Sequence, residues 1–358
     1  MLTILRRILS SIFRWCANLW TLTIIILMGI WIMVYLGFFP IESRWIALGY
    51  SPPVWFILFL IPPLVVYFIQ NLKGRWKSLL ALYLVIFVIF GDVSFFSKPT
   101  HQFLNGKETQ SISVVALNLR YYSYGFDKVV TAINDLDADI YLLSENDIKA
   151  EKVTELKEQV YPKEFYMGQK EGTAIISRYP VTSFKEIKFP TRQASLHIGN
   201  KIEEMHLNPF RSFVHAIVNV NGVPVHAISV RFIAGRSWDK RPQSVVPWTF
   251  YVLGEQIKEI SFFLDYLKGL EGPVVFGGDL NATPSSIILR KLNEVAADVY
   301  LQDHIWGGFT FWTRFPSYAR LDYIFCMNET QPVHSERPDI VVSDHYPIFA
   351  EILIPAVK

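Results

Sequence analysis

The segment VVFGGDLNATPSS, residues 274–286, ends an apolar run in Gly277, Gly278, Asp279, Leu280 and Asn281. Successive side chains of a strand face opposite ways, so Asp279 and Asn281 project together while Leu280 turns back to the core. A carboxylate and an amide side by side at a loop mouth suit chemistry at a phosphoryl centre. Asp279 can orient or deprotonate an attacking water, and the Asn281 amide can donate to developing negative charge. An isolated Asp-x-Asn is also a common strand end with a turn cap, so the rest of the chain has to support the assignment.

The segment VVSDHYPI, residues 341–348, reads as another apolar strand and carries adjacent acid and imidazole, Asp344 and His345. Between the two lies RLDYIF, residues 320–325, where Asp322 is a charge inside a strand-like run. A buried charge needs a partner, and His345 is the natural one. An Asp on one imidazole nitrogen fixes the tautomer and leaves the other nitrogen for substrate. Upstream, residues 111–125 read as a strand carrying Asn118, and residues 137–147 as a second strand ending at Glu145. Apolar residues at helical spacing in FDKVVTAINDL separate them, so strand, helix, strand brings Asn118 and Glu145 to one sheet edge. Glu145 there suits Mg2+ or Mn2+, which take carboxylate and water oxygens.

In this order, Asn118, Glu145, GTAIISRYP (172–180), Asp279 with Asn281, Asp322, and Asp344 with His345 resemble the motif series of the endonuclease/exonuclease/phosphatase superfamily, over residues 110–356. The resemblance implies an α+β fold, a four-layer α/β/β/α sandwich with the site where strand ends converge. It implies metal-assisted, in-line attack of water on a phosphoester with no covalent intermediate. It assigns Glu145 as principal ligand of Mg2+ (or Mn2+), Asn118 as support for metal or phosphate, and Asp344 as lying near the metal. Asp279 would activate water and Asn281 would contact the scissile phosphate. His345, oriented by Asp322, would stabilise the transition state or move a proton.

Two departures stand out. Many members carry a proton-transferring His where the strand VPVHAISVRF, residues 223–232, places Arg231. Arginine stays protonated and cannot shuttle a proton, but its planar fork binds phosphate, so Arg231 reads as a substrate-binding clamp. His226 lies on the opposite strand face from Arg231. Arg236 and Lys240 would either add to an anion pocket or form a solvated loop. Arg120 stands where some relatives have a metal-holding acid, which puts a second metal site in question.

The elements that position these residues follow a different kind of chain. Residues 15–41 and 45–72 contain no charge, and each exceeds the roughly 20 residues that span a bilayer as a helix. A third run, 78–96, carries Asp92 and is the weakest span. The reading is a membrane domain over 1–100 with about three transmembrane helices, a linker over 101–110, and a catalytic domain over 111–358. Arg6, Arg7 and Arg14 precede the first run, and Lys73, Arg75 and Lys77 fill the loop after the second. The positive-inside rule puts both in the cytoplasm. With three spans the catalytic domain then faces outward, on the periplasmic or extracytoplasmic side of a bacterial inner membrane; with the third run not crossing, it is cytoplasmic. Cys16 and Cys326 are too separated to pair.

A net charge of +2 lacks the basic footprint of a nonspecific nucleic-acid binder. Trp306, Phe309, Phe311, Trp312 and Phe315 cluster before RLDYIF, either as packing or as a surface for lipid headgroups, a base or a sugar. Three functions stay open: a membrane-anchored phosphoesterase acting on a lipid headgroup or related small phosphoester, a membrane-tethered nuclease acting on DNA or RNA, and a catalytically silent binding module.

Overall fold

The computed structural model describes residues 104, 108–146, 150–160, 164–167, 172–190, 194–198, 201–205, 211–234, 245–284, 286–304, 307–311 and 319–357, with six isolated helical positions between 11 and 26. The chain divides into two packed units, residues 1–95 with 283–289 and residues 96–282 with 290–358. Apart from Trp15, Leu19, Thr23 and Ile26, which are helical, the apolar runs read as membrane spans lie outside the described residues. Among the described residues no helix is long and apolar enough to cross a membrane.

The second unit is built on two six-stranded mixed sheets. In chain order the strands are β1 Thr109–Asn118, β2 Ile140–Ser144, β3 Glu164–Met167, β4 Ala174–Ser177, β5 Val181–Lys188, β6 Ala194–Ile198, β7 Lys201–Met205, β8 Ser212–Val220, β9 Val223–Ser229, β10 Val274–Asp279, β11 Ala297–Asp298, β12 Asp322–Met327, β13 Gln331–Glu336 and β14 Ile348–Pro355. The first sheet runs β13-β14-β1-β2-β4-β3 and the second β11-β12-β10-β9-β8-β5, with β6 and β7 as a separate hairpin. Three helices matter here: α1 Phe126–Leu136, α2 Ala150–Gln159 and α3 Val245–Lys268.

Strand periodicity sorts the apolar side chains into layers. Ile112, Val114 and Ala116 of β1, with Ile140 and Leu142 of β2, meet Val214, Ala216 and Val218 of β8 in the core between the sheets. The alternate residues Val115, Leu117, Tyr141 and Leu143 pack instead with Val129 and Ile133 of α1 and Leu156 of α2. On the outer face of the second sheet, Phe213, Phe232 and Phe276 meet Phe263 of α3 edge-on, with ring centroids 5.1, 5.8 and 5.4 Å apart. Helices, sheet, sheet and helix thus form a layered α/β sandwich.

β1 and β2 are parallel, as are β9 and β10, so each sheet gathers neighbouring strand ends on one side. Gly278 has φ +130°, and a methyl there would meet the Val230 carbonyl and lie 2.9 Å from Ser144 Oγ. Only glycine lets β10 approach both neighbours. Gly278→Ala is expected to destabilise the fold by roughly 3–5 kcal/mol, from backbone strain plus overpacking. A urea titration showing less than 1 kcal/mol would contradict this close approach.

His226 faces away from the strand ends and pairs with His215, Nδ1 to Nε2 at 2.8 Å, while His215 Nδ1 lies 2.6 Å from Tyr266 Oη of α3. Burial, the neighbouring His226 and Lys185 lower the His215 pKa to about 4. The unfolded imidazole protonates near 6.5, so stability is full above that pH and declines as pH falls toward 4. The loss should be on the order of 2 kcal/mol, discounted for partial solvent access. Melting curves from pH 7 to 4.5 should show it, and His215→Gln should flatten the slope.

Candidate active site

The chemistry-bearing residues collect where the strand ends meet. Asn118 closes β1 and is paired in register with Ser144, the last residue of β2. Asp279 closes β10 opposite Asp322, the first residue of β12. The seam between the sheets is tied at this point: Asn118 Nδ2 donates to Asp279 Oδ2 at 3.0 Å, the Asp279 backbone N–H donates to Ser144 Oγ at 3.1 Å, and Ser229 Oγ donates to the Leu143 carbonyl at 2.7 Å.

Asn281 adopts φ 48° and folds back on Asp279, with its backbone N–H donating to Oδ1 at 3.0 Å and its Nδ2 to Oδ2 at 3.1 Å. The same amide also donates to the Phe232 carbonyl at 3.0 Å. Asp279 is therefore a buried carboxylate wrapped in donors. Burial pushes its pKa up, against His345, Arg231 and the Asn281 N–H, which pull it down. A buried carboxylate held by donors is both oriented and basic, as activation of water requires.

His345 lies 2.7 Å from Asp322 through Nδ1, and both are buried. Burial alone would lower the imidazolium pKa, but Asp322, aided by Asp279 and Asp344, lifts it to about 9. The imidazole is protonated at neutral pH, with Nε2 as its second donor. Phe311 stands edge-on to the ring at 5.0 Å and forms an isolated bridge to His345. Thr310 Oγ1 accepts the N–H groups of Leu321 and Asp322 at 3.0 and 3.1 Å, fixing the start of β12.

The segment 341–347 corrects the strand reading. It is a bend, and β14 begins only at Ile348. Ser343 Oγ accepts the His345 N–H at 2.9 Å and donates to the His345 carbonyl at 3.1 Å, a local turn that competes with strand pairing. Asp344 and His345 therefore precede a strand rather than end one. Likewise β1 stops at Asn118, and Arg120, Tyr121 and Tyr122 form a turn with positive φ of 43°, 54° and 59°. The Leu119 and Tyr121 N–H groups pin this turn to the Ser144 and Glu145 carbonyls, each at 2.8 Å.

Glu145 follows β2 with φ 52°. Its Oε1 accepts Arg231 Nη2 at 2.5 Å, and Arg231 Nε lies 3.6 Å from Asp279 Oδ2, so the guanidinium straddles the two carboxylates. Burial raises the Glu145 pKa, countered chiefly by Arg231. Arg231 is set by a clamp that sequence reading missed. Arg211 donates to the Arg231 carbonyl at 3.0 Å and pairs with Glu259 of α3, whose Oε2 accepts the Ile233 N–H at 2.8 Å. Neither Arg211 nor Glu259 has a neighbour in sequence that would flag it. Arg120 pairs with Asp344 at 3.3 Å. Arg236, Lys240, Trp306, Trp312 and Phe315 lie outside the described residues, and Cys326 is buried and free.

A divalent ion can be tested against these donors. Asp279, Asp322 and His345 present ligand atoms within 4.8 Å of one another, but a protonated His345 engaged with Asp322 is no metal ligand. The Glu145 carboxylate and the Asn118 amide oxygen are of the donor type a hard cation takes; here Glu145 Oε1 is engaged by Arg231, and Asn118 Oδ1 accepts the Arg120 N–H at 2.9 Å. Asp344 is engaged by Arg120.

The family model for the Endonuclease/Exonuclease/phosphatase family matches residues 115–345. Members of that family hydrolyse phosphoester bonds, as phosphoesterases or nucleases. No curated protein sequence matches the chain. Among solved structures, an endonuclease/exonuclease/phosphatase from Bacteroides vulgatus aligns at 18% identity and TM-score 0.51, covering 68% of this chain and 98% of its own. One from Beutenbergia cavernae aligns at 17% and 0.52, covering 69% and 72%. A D. rerio TDP2 complexed with single strand DNA product aligns at 18% and 0.50, covering 68% and 99%. With the motif series, the sandwich and the strand-end cluster all in place, the chain belongs to the Endonuclease/Exonuclease/phosphatase family.

Proposed function

We propose that the protein is a divalent-metal-dependent phosphoesterase that hydrolyses its substrate by attack of a water activated by Asp279. One observation carries this reading: Asp279, held by Asn118 and Asn281 on one side, faces the protonated His345–Asp322 pair on the other. The carboxylate takes the proton of the water, and the imidazolium stabilises charge gathering on the phosphoryl oxygens or protonates the leaving oxygen. Asn281, folded over the carboxylate, would contact the scissile phosphate by turning its amide from the Phe232 carbonyl or from Asp279. A Mg2+ or Mn2+ ion held by Glu145 and Asn118 would neutralise charge on the non-bridging oxygens. The presence of Glu145, Asp279, Asn281, Asp344 and His345 together argues against a silent binding module.

The apolar runs 15–41, 45–72 and 78–96 support a membrane tether, and the basic residues around them support an extracytoplasmic catalytic domain. A substrate at the bilayer surface, a phosphorylated lipid headgroup or a related small phosphoester, fits that placement and the near-neutral charge. The second reading is a nuclease, supported by the fold it shares with the D. rerio TDP2 that was complexed with single strand DNA product.

A panel of phospholipids, soluble phosphomonoesters, single-stranded and duplex DNA, and RNA, assayed with Mg2+ and with Asp279→Asn as the blank, separates the two. Headgroup or phosphate release absent from the blank supports the first reading, and cleavage of nucleic acid alone installs the second. Silence on every substrate would overturn both.

A further inference from the structure

The Arg231 guanidinium occupies the position from which it meets both acids that the proposed chemistry needs. It pairs with Glu145 at 2.5 Å and lies 3.6 Å from Asp279, and each side chain of the Arg231–Glu145 pair is only 15% exposed. A divalent cation taking Glu145 must share or displace a fixed positive charge in a poorly hydrated site, where like charges repel strongly. The clamp from Arg211 and Glu259 holds the Arg231 backbone, so the guanidinium can swing but cannot leave. Its planar fork is suited to a phosphate, which would accept it bidentately and shield it from the cation.

We infer that Arg231 couples the two ligands of the site, opposing the divalent ion when the ion comes alone and favouring it once a phosphate has drawn the guanidinium off Glu145. The inference rests on the proposed metal role of Glu145. Because coupling is reciprocal, the ion must tighten phosphate by the same factor. The consequence is ordered loading: the ion is held firmly only with a phosphoryl group in place, so the site discriminates substrate from solvent before water is activated. A histidine in this place, neutral over much of the physiological range, would lack such antagonism.

The test is Mn2+ binding to the purified full chain, read by electron paramagnetic resonance with and without saturating inorganic phosphate. In the wild type, phosphate should tighten Mn2+ by about tenfold, within the usual span of couplings. Arg231→Gln should bind Mn2+ alone about tenfold more tightly than wild type and lose the phosphate effect. Arg231→Lys, which keeps the charge without the fork, should keep weak Mn2+ binding and show a smaller phosphate effect; it also serves should the glutamine variant fail a circular-dichroism check of folding. Glu145→Gln should abolish site binding throughout. If Glu145→Gln abolishes binding but Arg231→Gln leaves Mn2+ affinity unchanged or weaker, the coupling is wrong and the metal role stands. Binding that survives Glu145→Gln overturns the metal role and the coupling together.

Discussion

Asp279→Asn is expected to lower kcat about ten-thousandfold, the upper end for removal of a general base, in a protein that still folds. The asparagine keeps the shape of the side chain but takes no proton from water. It also loses an oxygen that accepts from Asn118 and Asn281. Turning an amide N–H toward those donors costs about 2 kcal/mol. Against this, removal of a buried carboxylate relieves the desolvation that raises the Asp279 pKa. The net change in melting temperature should therefore be a few degrees, far too small to explain the kinetic loss. A folded variant retaining more than a hundredth of wild-type turnover would remove Asp279 from the role of base.

Asp322→Asn should act through His345. In the wild type the imidazolium persists to about pH 9, so turnover should fall as pH rises through that value. Without the anion, the His345 pKa returns toward or below 6.5 and the alkaline limb moves down by about two units. At pH 8 the variant, with only a few per cent of its imidazole protonated, should be slower by about thirtyfold or more. Stability carries the same signature. A group whose folded pKa is raised stabilises fully below its unfolded pKa, here 6.5, and that stabilisation disappears as pH rises through 9. The slope between these limits corresponds to about 3 kcal/mol and should vanish in Asp322→Asn. An unchanged pH profile would show that His345 does not carry the alkaline limb.

The catalytic side chains were legible in the sequence wherever chemistry left a local mark. Asp279 and Asn281 show because a strand alternates and then stops, and Asp322 shows because a charge in an apolar run demands a partner. The helix Phe126–Leu136 was readable from its spacing alone. The bend at 341–347 was not, because its apolar residues mimic a strand while Ser343 redirects the backbone through its hydroxyl. The positive-φ turn at Arg120–Tyr122 was equally hidden: its cause is hydrogen bonding to β2 and not its own composition. Arg211 and Glu259 act on Arg231 from the start of the neighbouring β8 and from α3, and only tertiary structure brings such residues together.

The strand order carries a consequence for how the molecule is made. β14 sits between β13 and β1 and pairs along β1 from Thr109↔Pro355 to Ala116↔Ile348. On the ribosome, β1 emerges early but lacks this neighbour until residue 355 has cleared the exit tunnel. A chain interrupted before β14 is therefore expected to leave β1 with β2 as its one neighbour and the sheet that ends at Asn118 incomplete.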